Sequence, residues 1–282
     1  MEKTVLITGA SSGIGKETAK IFAENNYKVL ACVRKKSDKY KLEKLNKNIH
    51  GIYLDVTSQS GIDKAFWYIM KNTAKIDALI NCAGIAVAGP IEAIPIKRIK
   101  EQFEVNTFGT LAVIQKFLPL MYNGKIVYVS SMAASGIFPF LSPYCASKKA
   151  TDIMLNSLSN EFKNNNIKIV SIKPGCIRTP FWNKSVDNNI PNFEASSETI
   201  KDKYKYEMKF LEENARANNY KGSLPEDVAK TIYKAVSSKN PKLSYTVGQD
   251  AFWTMFFAKI LPQNIINSAV KFVLKKRIEK LK

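Results

Sequence analysis

Thr4-Val5-Leu6-Ile7-Thr8 runs into Gly9-Ala10-Ser11-Ser12-Gly13-Ile14-Gly15, and this stretch fixes how the rest of the chain is read. A short β-branched, apolar run with no alternation predicts a strand buried on both faces. A helical pattern follows from Lys16 to about Asn25. Strand, glycine-rich turn and helix start together aim backbone N–H groups and a positive helix end at a pyrophosphate. The glycines suit a tight turn, close approach of backbone to phosphate, and close packing of helix on strand. Their spacing is GxxxGxG rather than the commoner GxGxxG.

A second strand is expected over Lys28 to Val33, and its end bears on the ligand. Dinucleotide folds that take NAD usually place a carboxylate there to hold the adenosine ribose. Here Arg34-Lys35-Lys36 follow Val33, and Arg can grip a 2′-phosphate that an acid would repel. The expected cofactor is therefore NADP(H), with NAD(H) left open; a solvated basic turn is the alternative. Further strands are expected at Ile52–Leu54, ending at Asp55-Val56, and at Asp77–Asn81, Lys125–Val129, Ile167–Ile172 and Leu243–Val247. Helices are expected over Ser58–Thr73, Pro95–Met121, Tyr144 to about Asn164, and from Ser223 to about Ser237. Strands alternating with helices predict an α/β parallel sheet. Asn106 and Gly109 are poor helix residues inside Pro95–Met121, and such local conflict marks function or tight packing.

Tyr144 and Lys148 stand four apart, on one helix face. An ammonium beside a phenol should lower the phenol's pKa from about 10 and fit it for proton transfer to a carbonyl or alcohol oxygen; an aromatic on a buried face beside a solvated lysine is the alternative. His50 is the sole histidine, so histidine-based triads and most zinc sites are excluded, and no metal site is expected. Cys32, Cys82, Cys145 and Cys176 show no metal-binding spacing and read as reduced thiols of a cytoplasmic protein. Met1 lies too close to the first strand for a signal peptide, and no apolar run is long enough to span a bilayer. The net charge of +19 is read as lysine spread over solvated faces; no base-reading element appears, so nucleic acid is not expected as a partner.

Taken together the chain resembles the short-chain dehydrogenase/reductases, and is similar to hydroxysteroid- and retinol-dehydrogenase-like members. The resemblance rests on TGASSGIG (Thr8–Gly15), LDVT (Leu54–Thr57), NCAG (Asn81–Gly84), VNTFG (Val105–Gly109), VSS (Val129–Ser131), YCASK (Tyr144–Lys148) and PGCIRT (Pro174–Thr179), in that order. It implies a doubly wound, mostly parallel Rossmann sheet with helices on both faces, in one domain over 1–250 with a substrate lid at about 181–222. It implies hydride transfer between a nicotinamide and a carbonyl or alcohol. Tyr144 would then exchange the proton, Lys148 would lower its pKa and hold the nicotinamide ribose, and Ser131 would polarise the substrate oxygen. Asn106 would distort its helix and hold a water that completes a proton path. Gly9, Ser11, Ser12, Gly13, Ile14 and Arg34 would grip the phosphates, with Ser11 and Arg34 meeting a 2′-phosphate. Asp55 and Val56 would meet the adenine, and Asn81, Ala83 and Gly84 the adenosine ribose. Pro174, Gly175, Ile177 and Thr179 would border the nicotinamide. A departure is Ser12, where some NADP-preferring members carry a basic residue before the second glycine. A homodimer or homotetramer is implied; a silent NADP(H)-binding regulator is the alternative function.

Beyond the motifs, Tyr204, Tyr206, Met208, Phe210 and Leu211 either line a pocket or pack on the body. Residues 251–282 form an extension: Phe252, Trp253, Phe256 and Phe257, then Pro262, then a segment from Asn264 ending in Lys275-Lys276-Arg277. It is expected to cover the core, the cleft or a subunit seam, or to lie on an anionic membrane. The arrangement resembles family members with apolar tails at the substrate mouth, a resemblance that implies a hydrophobic, steroid-, retinoid- or lipid-like substrate.

Overall fold

The computed structural model describes residues 2–162 and 166–281. Seven strands form one sheet: β1 (Thr4–Thr8), β2 (Lys28–Val33), β3 (Ile49–Tyr53), β4 (Ala78–Asn81), β5 (Lys125–Val129), β6 (Lys168–Pro174) and β7 (Ser244–Val247). Their order is β3-β2-β1-β4-β5-β6-β7, and all six pairings are parallel, so the sheet is wholly rather than mostly parallel. The order reverses between β1 and β4, the switch point at which open α/β sheets bind ligands beyond their carboxyl ends.

Alternate residues of each strand face opposite layers. Val5, Ile7, Val29 and Ala31 pack under α1 (Gly13–Glu24), α2 (Lys36–Glu43) and the helix Pro225–Ser237, whereas Leu6, Leu30 and Cys32 join the layer of the next four helices. In that second layer α3 is Gln59–Asn72, α4 Ile96–Phe103, α5 Gly109–Phe117 and α6 Ser142–Glu161. Phe117, fully buried on α5, meets Phe66 edge-on at 5.7 Å. The expected end of α6 at Asn164 lies outside the described residues.

The Pro95–Met121 stretch is not one regular helix. Glu104–Phe108 forms a π turn between α4 and α5, and Leu118–Leu120 a 3-10 turn after them. The π turn contains Asn106, as its helix-distorting character led one to expect; such bulges recur at functional sites. Gly109 follows because a side chain there would stand 2.8 Å from the Val56 carbonyl oxygen.

The remaining helices are α7 (Phe181–Glu194), α8 (Glu198–Lys221), α9 (Pro225–Ser237), α10 (Gln249–Ile260) and α11 (Gln263–Glu279). The asparagine-rich run is thus helical: buried Asn189 on α7 donates to the carbonyls of Ala86 and Ser185, at 3.0 and 2.6 Å. The extension adds little to the core. α10 buries only Ala251, and α11 buries no residue fully. Among the described residues no helix is long and apolar enough to cross a membrane.

Candidate active site

A cleft of about 660 Å³ opens along the carboxyl ends of β1, β2, β4, β5 and β6. The β1–α1 turn forms one wall. Gly9 takes φ +66°, and a Cβ there would stand 2.8 Å from the Ala83 nitrogen, so the two loops cross with no room for a side chain. Thr8 Oγ1 ties the crossing by accepting from the N–H groups of Cys82 and Ala83, at 3.2 and 3.3 Å. At the start of α1, Ser12 occupies the cap position without a side-chain cap bond, and the first turn carries no acid. Free N–H groups and an uncompensated positive helix end therefore face the cleft, where a phosphate would sit.

Ser11, Ser12, Gly13 and Ile14 line this wall, and Arg34 lies exposed at the end of β2. Asp55 and Val56 follow β3, with Asp55 Oδ1 accepting from the Thr57 N–H at 2.9 Å. Ala83 and Gly84 floor the cleft, and Pro174, Gly175, Ile177 and Thr179 close its far side. Asn81 stands apart. It is 1 % exposed, does not line the cleft, and finds no hydrogen-bond partner for either side-chain atom among the described residues.

Ser131, Tyr144 and Lys148 converge in the middle of the cleft. The Ser131 Oγ accepts from the Ala133 N–H at 3.1 Å, and its hydroxyl is hydrogen-bonded with the Tyr144 phenol. The Lys148 Nζ lies 6.0 Å from the Tyr144 ring centroid and 4.7 Å from that of Tyr128, and donates to the Val129 carbonyl at 2.8 Å. Gly84 leaves room beside this ammonium: a Cβ there would be 3.6 Å from Nζ. Burial pushes the Lys148 pKa down to about 8, opposed by the negative charge of Asp152 one turn further along α6. Burial also pushes the Tyr144 phenol well above its ordinary range, a trend that the hydrogen bond to Ser131 opposes. This is opposite to the lowering expected from a neighbouring ammonium. In the free protein desolvation sets the direction of the shift, so the phenol keeps its proton.

Asn106 does not line the cleft but braces it. Its Oδ1 accepts from the Ile85 N–H at 2.9 Å, and its Nδ2 donates to the Ile85 carbonyl and to Ser147 Oγ, at 2.9 and 3.0 Å. Ser147 Oγ donates in turn to the Tyr144 carbonyl at 2.8 Å. The π turn thereby pins the loop after β4 to the first turn of α6.

Other residues that line the cleft were not singled out from the sequence. Phe181 and Trp182 on α7 stand over Tyr144, each with its ring centroid 6.1 Å from the tyrosine's. Lys184, Ser185, Asn188, Arg98 and Glu101 add a polar rim. Their one signal in the sequence is that α7 begins directly after the PGCIRT motif. The α8 aromatics do not line the cleft: Tyr204 donates to Glu92 Oε1 at 2.8 Å and meets Phe140 edge-on. No residue of α10 or α11 lines it either, so the expected covering of the cleft by the extension is not found. The large apolar side chains of α10 face outward instead.

A family model described as short chain dehydrogenase matches residues 3–190. The chain belongs to that family. It is 32% identical over 282 residues to the NADPH-dependent 3-dehydrocapnine reductase of Ornithobacterium rhinotracheale, covering 96% of this chain and 97% of the relative. It is 30% identical over 273 residues to the 3-ketodihydrosphingosine reductase of Bacteroides thetaiotaomicron, covering 95% and 96%. In fold it is similar to a short-chain dehydrogenase from Streptomyces avermitilis, with a TM-score of 0.76 at 20% identity over 99% of this chain and 98% of the other. This short-chain dehydrogenase is therefore an NAD(P)-dependent oxidoreductase with a single Rossmann-type sheet. Among the described residues no group of acidic, cysteine or histidine side chains could hold a metal ion.

Proposed function

We propose that this enzyme uses NADPH to reduce the carbonyl group of a hydrophobic compound to an alcohol. The observation that carries the proposal is the convergence of Ser131, Tyr144 and Lys148 beside a groove walled by the Gly9–Gly15 turn. The residues present fit a dinucleotide: a cradle that a Cβ would fill, a helix start free of caps and acids, and a cation where NAD-binding folds usually carry a carboxylate.

When bound, the dinucleotide supplies a hydride to the carbonyl carbon. Ser131 turns its hydroxyl hydrogen bond to the substrate oxygen, drawing charge onto it. Tyr144 transfers its phenolic proton to that oxygen as negative charge develops. Burial holds the phenol protonated at neutral pH, which suits the reductive direction. Lys148 spends one of its three donors on the Val129 carbonyl and has two for a ribose hydroxyl and for the phenolate left behind. Asn106 positions both groups through Ser147 and Ile85. Gly9, Ser11, Ser12, Gly13 and Ile14 hold the phosphates, with Arg34 on a 2′-phosphate. Asp55, Val56, Ala83 and Gly84 border the adenosine half, with Asn81 supporting them from below the cleft. Pro174, Gly175, Ile177 and Thr179 border the nicotinamide.

Phe181 and Trp182 favour an apolar body on the substrate, and the lid is assigned to α7 and α8. The names of the two reductases support reduction, and one of them supports NADPH. A dimer is assigned to the outer face of α6 and the neighbouring π turn, where Ile153, Met154 and Phe108 are exposed. The test is oxidation of NADPH, with NADH in parallel, across long-chain 3-oxo compounds, keto-steroids, retinal and small aryl ketones. Turnover with bulky apolar carbonyls is expected. Turnover confined to small or polar carbonyls would overturn the substrate class, and NADPH bound without any turnover would favour a silent regulator.

A further inference from the structure

α10 is inverted relative to a helix that packs on a protein body. At 3.6 residues per turn, Ala251, Thr254, Met255 and Ala258 share one side and Phe252, Trp253, Phe256, Phe257 and Ile260 the other. The small side faces inward: Ala251 is fully buried, and the Thr254 methyl would stand 3.0 Å from a Cβ on Gly136. The five large residues face outward and are 43% to 59% exposed. Their rings rest on one another, Phe252 stacked on Phe256 at 6.2 Å and Trp253 on Phe257 at 5.8 Å. The result is a continuous aromatic plate, and plates of this kind mark interaction surfaces.

α11 extends the plate and rims it with charge. Ile265 and Phe272, seven residues apart on one outward face, are 48% and 67% exposed. Lys259, Lys271, Lys275, Lys276 and Arg277 are exposed around them. Asp250 does not offset this charge outward, since its carboxylate accepts from the Cys176 N–H at 2.7 Å. Glu279 stands only 3.9 Å from Lys275.

We infer that α10 and α11 form a seat for the surface of an anionic lipid bilayer. Trp and Phe settle at headgroup depth, and flanking Lys and Arg are drawn to anionic lipid. Since neither helix is long and apolar enough to cross, both lie along the surface. A second copy of this chain is the poorer occupant. A two-fold contact places the same patch on both partners, so the cations rimming one plate would meet those rimming the other. The seat adjoins the cleft: α10 rests on the turn after Ser131 and is bonded through Asp250 to the Pro174–Thr179 loop, while α11 runs against α8.

The test is co-sedimentation of the full chain with vesicles of phosphatidylcholine alone and of phosphatidylcholine mixed with phosphatidylglycerol. Binding to the anionic vesicles is expected, weakening as salt is raised. Two variants probe the seat from opposite sides: Phe256→Ser with Phe257→Ser, and Lys275→Glu with Lys276→Glu and Arg277→Glu. Each is expected to weaken binding roughly tenfold or more. Thermal melts and sedimentation velocity report folding and subunit number, and if the serine variant unfolds, the charge variant decides alone. Equal partition onto both vesicle types, or unchanged binding by folded variants, would overturn the inference. So would a protein that ignores both vesicles yet loses a dimer when the plate is altered, since the occupant would then be a second copy.

Discussion

The cleft and the C-terminal helix pair place their residues by opposite rules. At the ends of β4, β5 and β6 the protein buries what water would keep: Asn106 is 0%, Lys148 4% and Ser131 7% exposed. On α10 and α11 it exposes what water would drive inside, with Trp253 at 52% and Phe272 at 67%. Both arrangements oppose folding. A buried ammonium loses hydration, and an exposed ring forgoes burial worth about 1.5–3 kcal/mol. The lesson is that departures from apolar-in, polar-out locate function more sharply than the core does, because the core obeys the rule everywhere.

The largest effect expected is at the cleft. Tyr144→Phe removes the proton donor while keeping the ring against Phe181 and Trp182, and should lower kcat by roughly 10²–10⁴-fold with NADPH affinity kept. Stopped-flow turnover and fluorescence titration check this; a variant that remains fully active would remove the cleft's side of the contrast. Next comes a pair of phenylalanines. Phe117→Ala should cost about 3–5 kcal/mol in urea unfolding, because the ring is fully buried, whereas Phe256→Ala should stay within about 0.5 kcal/mol. Equal losses would mean that α10 is part of the core after all.

Lys148 gives an effect of similar size that depends on pH. Its pKa is about 8 in the folded protein against 10.5 unfolded, so between those values the unfolded chain binds more protons. The burden on the fold is full below pH 8 and lifts as pH rises to 10.5. Stability relative to Lys148→Met should therefore move in the wild type's favour by up to about 3 kcal/mol over that window. A flat difference would show that the ammonium is hydrated. Smallest is Arg34→Asp, expected to weaken NADPH by about 1.5–3 kcal/mol in isothermal titration while sparing NADH. Equal losses for both dinucleotides would remove the 2′-phosphate contact.

Much of this was legible in the sequence, for definite reasons. β1, β2 and β5 fall where their β-branched runs end, since a strand covered on both faces must be apolar throughout. β3 was foreshortened because it lies at the sheet edge, where exposed His50 and Tyr53 interrupt the apolar run. Spacing on one helix pairs Tyr144 with Lys148 and a strand end offers Ser130 and Ser131, but the choice of Ser131 and the weight on the pair rest on the family resemblance. Phe181 and Trp182 were not found, since only the return of the chain from β6 brings α7 over Tyr144. The direction of the Tyr144 shift was misread because a sequence shows a neighbouring charge but not the depth of burial. The aromatic run at Phe252–Phe257 was visible, but not which way it points, which depends on the small residues that the surface beneath α10 accepts.

The sheet order has a consequence in time. β1 lies between β2 and β4, and Val5 pairs with Ala78, so a central strand waits for a partner made far later along the chain. At ribosomal rates of 5–20 residues per second, that interval is roughly 4–15 s. During it Val5, Leu6 and Ile7, none of them exposed once folded, have at most β2 on one side and nothing on the other. The strand that anchors the nucleotide turn is thus an apolar edge left open while the chain is being made.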